Sequence, residues 1–91
     1  MTKYRKKPIV VEAVIWDETV DTFNELQDKG LVYGSFEGHG NRPDWVGNLR
    51  FKSTDGWTGV AKGEYIVKGP RGEFYRCRPE VFTANHEAVE G

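Results

Sequence analysis

The spacing of apolar residues changes along the chain, and each change marks an element. After Pro8, the run Ile9-Val10-Val11-Glu12-Ala13-Val14-Ile15-Trp16 is rich in β-branched residues and apolar on both alternating faces, which predicts a strand central in its sheet. The spacing then lengthens. Val20, Phe23 and Leu26 fall three residues apart while Asp21, Asn24, Glu25 and Asp28 lie mostly on the other side, so an amphipathic helix follows the first strand. Asp17 or Thr19 can cap its start, and Lys29 suits its negative end. Gly30 can adopt the left-handed conformation that closes a Schellman motif and brings Leu31 against Leu26, so the helix should stop at Lys29. A helix this short is marginal alone in water and must lay its apolar stripe on a sheet.

Leu31 to Phe36 reads as a second strand, and the turn-forming cluster from Glu37 to Pro43 as a mobile loop. Leu49-Arg50-Phe51-Lys52-Ser53 alternates cleanly before Asp55-Gly56, a pair that favours a two-residue hairpin turn. That turn sets Phe51 opposite Val60 and Ser53 opposite Thr58 on the buried face, with Arg50, Lys52, Thr54 and Trp57 outside. A second hairpin runs from Glu64 to Lys68, turns through Gly69-Pro70-Arg71-Gly72, and returns over Glu73 to Cys77. Arg78 to Phe82 can form one helical turn with Pro79 at its first position, and Thr83 to Val89 a last strand. Opposite charge on the basic N-terminal arm and the acidic C-terminal end favours pairing the first and last strands. These elements predict one α+β domain over residues 1–91: mostly antiparallel sheet or a partly open barrel of about six strands, with one amphipathic helix after the first.

Composition narrows the function classes. Ninety-one residues cannot hold a multidomain enzyme, and twelve aromatic residues suffice to anchor one small core. The net charge of −1 removes any global basic excess for nucleic acid or acidic membranes, so such binding would need a local patch. Cys77 is the single cysteine and makes no internal disulfide, and no stretch approaches the ~18 apolar residues of a membrane span. Both point to a reducing cytoplasm and to no membrane partner.

Candidate chemistry is sparse. Gly69-Pro70-Arg71-Gly72 superficially resembles the loop with which KH domains clamp nucleic-acid backbones, but it joins two strands and Pro70 lacks an amide N–H. No glycine-rich phosphate loop precedes a helix. His39, His86 and Cys77 lack the short paired spacings of zinc sites, and Cys77 has no base close in sequence. Glu12 and Glu64 lie inside apolar strands, and if buried would need a partner such as Arg76 or Lys68. No catalytic residue, metal ligand or cofactor is nominated. What stands out is cations interleaved with aromatic rings, the groups that hold phosphates and stacked bases: Lys52, Trp57, Tyr65, Lys68, Arg71 and Arg76 form the candidate ligand site.

Two segments also carry a resemblance. Residues 63–82, Gly63-Glu64-Tyr65-Ile66-Val67-Lys68-Gly69 through Gly72-Glu73-Phe74-Tyr75-Arg76-Cys77-Arg78-Pro79-Glu80-Val81-Phe82, resemble a family of small tailed-bacteriophage and prophage proteins of uncharacterised function. Tyr4-Arg5-Lys6-Lys7-Pro8-Ile9-Val10-Val11-Glu12-Ala13-Val14 looks like that family's opening, and Arg42-Pro43-Asp44-Trp45 like its middle. The chain departs from the pattern at Lys62, Glu64, Arg76 and His86. The resemblance implies a phage-encoded protein in the host cytoplasm. The expected function is that of a non-enzymatic accessory protein, a homodimer that binds a host protein or a phosphate-bearing small molecule in a counter-defence role. A small enzyme acting on nucleotides or nucleic acid, and a virion or assembly component, are the alternatives.

Overall fold

A computed structural model describes residues 2–3 and 10–86. Among these described residues are six strands in two three-stranded antiparallel sheets, β1-β5-β6 and β2-β3-β4, with two helices and no closed barrel. The domain is α+β. The elements are β1 (Glu12–Ile15), α1 (Val20–Asp28), β2 (Tyr33–His39), β3 (Arg42–Ser53), β4 (Gly56–Gly59), β5 (Tyr65–Lys68), β6 (Phe74–Cys77) and α2 (Pro79–Asn85).

The first helix follows its local signals. Thr19 is the N-cap, its hydroxyl accepting from the Thr22 amide at 3.2 Å, and Phe23 and Leu26 are its buried residues. At the other end Gly30 takes φ +101°, the Gly30 amide donates to Gln27 O and the Leu31 amide to Leu26 O, which is the Schellman closure. Leu26 and Leu31 then enter one core.

That core lies between the sheets with α1 along its side. Phe23 and Leu26 of the helix meet Val46, Leu49 and Phe51 of β3 and Ile66 and Phe74 of the other sheet, with Trp16 fully buried among them. Val46 and Leu49 are three residues apart yet both inside, because Asn48 takes φ +49° and adds an extra residue between them.

Several expectations are corrected. The first strand is an outer strand of its sheet: β5 occupies the centre, where Ile66 and Val67 are buried on opposite faces while Ile15 stays half-exposed. The second strand begins at Tyr33, since Leu31 is spent on the helix closure, and it runs through the expected loop. Glu37–His39 pair with β3, which opens on Arg42 and Pro43, leaving Gly40 and Asn41 as the turn, because ladder hydrogen bonds override weak strand propensity.

The β3–β4 register is also two residues from expectation. Phe51 faces Thr58 and Ser53 faces Gly56, so Thr54 and Asp55 form the turn. A turn centred on Asp55-Gly56 of the expected type needs positive φ at both residues; only Gly56 has it, at +106°. Ser53 Oγ fixes this tip by accepting from the Asp55 amide at 3.2 Å and donating to Gly56 O at 2.9 Å. Phe51 and Val60 are buried in either register.

The second hairpin forms over the expected runs, and its pairs are Tyr65 with Cys77 and Lys68 with Phe74. Thr83–Asn85, expected to open a last strand, instead extend the helix begun at Pro79. The remainder of that expected strand and most of the basic arm lie outside the described residues. β1 pairs with β5.

Candidate ligand-binding face

Strand alternation puts Leu49 and Phe51 into the core and turns Arg50 and Lys52 to the outer face of sheet β2-β3-β4. On β4, Trp57 stands beside Lys52 and Gly59 beside Arg50. Trp57 is 53% exposed, and its ring reaches over Gly34 of β2, where a Cβ would stand 3.0 Å from ring atoms. Trp45 likewise lies on Gly47. Glycine at these outward positions lets flat groups approach the backbone.

Two residues along β4 from Trp57, Gly59 and its partner Arg50 line an open groove of about 510 Å³ with Ser35, Glu37 and Asn48, and Phe36, Leu49 and Val60 complete it. Among the described residues neither Arg50 nor Lys52 has an ion-pair or side-chain hydrogen-bond partner. Lys52 also borders an adjoining groove with Thr54, Gly72 and Glu73, and Arg71 lines the next one with Thr54 and Pro70. Lys52 and Trp57 therefore share a face, and Arg71 lies at the neighbouring turn.

Tyr65, Lys68 and Arg76 belong to the other sheet and are differently engaged. The Tyr65 ring stacks on Phe82 of α2 at 4.0 Å, and Phe82 on His86 at 4.2 Å. Lys68 Nζ donates to Lys29 O at 2.8 Å, capping the end of α1, and lies 6.0 Å above the Phe74 ring. Arg76 Nη1 donates to Gly59 O at 3.3 Å and is 4.0 Å from Glu64, one of the partners expected for that carboxylate. Pairing also separates them: Lys68 and Arg76 project toward the core side with Ile66 and Phe74, whereas Tyr65 projects to the opposite face.

Arg50, although placed outside by the alternation, was not among the expected site residues, and neither were Glu37, Ser35 or Asn48. The readable signal was outward glycine inside strand patterns at Gly34, Gly47 and Gly59. Among the described residues no group of three or more His, Cys, Asp and Glu is placed to hold a metal ion. Cys77 Sγ donates to Arg78 O at 3.6 Å and His86 Nδ1 bonds Phe82 O at 2.9 Å, so neither engages the other.

Glu12, the other strand carboxylate, meets Lys29 at 2.6 Å instead of Lys68. The hydrogen bond and charge of Lys29 hold Glu12 below its ordinary 4.5, and Glu12 raises Lys29 above its ordinary 10.5. A carboxyl lowered by folding stabilises the fold above its unfolded pKa, and that contribution disappears as pH falls through the folded value. Glu12→Gln should therefore flatten the acid-side fall in melting temperature slightly between about pH 5 and 3, measured by thermal melts in stepped buffers.

No helix among the described residues is long and apolar enough to cross a membrane. Comparison with protein-family models, with curated proteins and with solved structures finds no match to this chain.

Proposed function

We propose that this protein is a non-catalytic binder of a nucleotide-like ligand, held on the outer face of β2-β3-β4. One observation carries the reading: a half-exposed Trp57 stands opposite the unpaired Lys52, and the unpaired Arg50, two residues along β3 on the same face, lines an open groove. An indole face stacks on a flat ring, and a guanidinium with an ammonium two residues away clamps a phosphate. A groove of this size fits a small ligand. The phage origin that the terminal motifs imply is part of this proposal, and with it the role of sequestering a nucleotide signal in the host.

The test is calorimetry and tryptophan fluorescence with adenosine 5′-monophosphate, and with inorganic phosphate as control. Adenosine monophosphate should bind and change the emission while phosphate alone binds far more weakly. Trp57→Ala should keep the fold and lose about 1–3 kcal/mol of binding, the contribution of one stacked base. Absence of binding by nucleoside monophosphates would remove this reading.

A second reading, a host-protein inhibitor, draws on α1, whose Asp21, Glu25 and Asp28 are all exposed on the side of the helix away from the buried Phe23. Co-purification of a host protein that is lost on Asp21→Lys with Glu25→Lys would favour it.

A further inference from the structure

The groove contains a group that a plain phosphate site would exclude. Glu37 is exposed on β2, opposite Gly47, and lines the same groove as Arg50, which stands opposite Ser35. Gly38, the next residue, faces the buried Val46, so Glu37 projects to the same outer face as Arg50 and Lys52. Among the described residues Glu37 has no ion-pair or side-chain hydrogen-bond partner, and Arg50 does not neutralise it. The Ser35 and Glu37 positions are about 7 Å apart along the strand, at ~3.3 Å per residue.

A carboxylate only accepts hydrogen bonds and repels phosphate, so a ligand that fills this groove must bring donors to one end and its anionic group to the other. Resting on the reading above, we propose that Glu37 receives the vicinal hydroxyls of a ribose, which makes the ligand a ribonucleotide and Glu37 its specificity-determining residue. Acidic side chains in dinucleotide sites hold ribose hydroxyls through the same chemistry. Trp57 and Lys52 lie toward one end of the face, Arg50 beside Ser35, and Glu37 beyond, so ring, phosphate and sugar each meet a complementary group.

The experiment compares adenosine 5′-monophosphate with 2′,3′-dideoxyadenosine 5′-monophosphate on the wild-type chain and on Glu37→Gln by calorimetry, with circular dichroism for the fold. The wild type should prefer the ribonucleotide by about tenfold or more, the effect of losing hydrogen bonds to a charged group, and Glu37→Gln should erase most of that preference. Dideoxy binding equal to ribo binding on the wild type would overturn the role of Glu37 and leave the Trp57–Arg50–Lys52 reading standing. An unchanged preference in folded Glu37→Gln would overturn it too. Failure of both nucleotides to bind the wild type would overturn both readings together.

Discussion

Phe51→Ala is expected to remove most of the stability of the fold and bring it close to unfolding at room temperature. The ring is fully buried near the C-terminal end of β3, within the cluster that joins α1 to both sheets. Truncating a buried Phe costs about 3–5 kcal/mol, part lost transfer energy and part the cavity left behind. Small domains hold only about 5–15 kcal/mol, and one of this length sits toward the low end. The same position tolerates nothing larger, because Leu49 and Trp16 are fully buried in the same cluster and interiors are close-packed. Chemical denaturation followed by circular dichroism measures the loss; a variant within about 1 kcal/mol of wild type would mean that Phe51 does not anchor this core.

What the sequence discloses well is what neighbouring residues decide. Thr19 and Gly30 bound α1 because a hydroxyl cap and a left-handed glycine act within one turn of chain. The second hairpin is similar: two short alternating runs flank an obvious turn, and they pair antiparallel. Register between distant runs is not local. The apolar runs of β1 and β5 look alike, and only the pairing of β5 on both sides decides which lies at the centre. In the β3–β4 hairpin, Asp55 keeps negative φ and leaves Gly56 alone to bend, which moves every pair by two residues while preserving which side chains are buried.

That even-numbered shift explains why half of the candidate site could be read. A two-residue slip keeps each side chain on its face, so Arg50, Lys52 and Trp57 stay together outside whichever turn forms. The other half fails on parity. Tyr65 and Lys68 are three residues apart in a regular strand and project to opposite faces, so one ligand cannot lie over both. Glu37 was hidden for another reason: its neighbours are turn formers, and only pairing with β3 makes them strand.

The charge reversal Arg50→Glu with Lys52→Glu is therefore expected to abolish nucleotide binding while sparing the fold. Both residues are exposed and unpaired among the described residues, so each change should move stability by no more than about 0.5 kcal/mol. Hydrogen bonds to charged groups contribute about 1.5–3 kcal/mol each, so losing two costs affinity of about a hundredfold or more before repulsion is added. Wild-type binding should also weaken with salt, because the clamp is solvent-exposed. Lys68→Glu provides the contrast. It removes the donor to Lys29 O and sets a carboxylate at the negative end of α1, near Glu12, so it should destabilise the fold by about 1–2 kcal/mol without changing affinity in the molecules that remain folded. Calorimetry with adenosine monophosphate and thermal melts on both variants separate the two effects. A folded Arg50/Lys52 double variant that binds like wild type would clear this face of any role and return attention to the acidic side of α1.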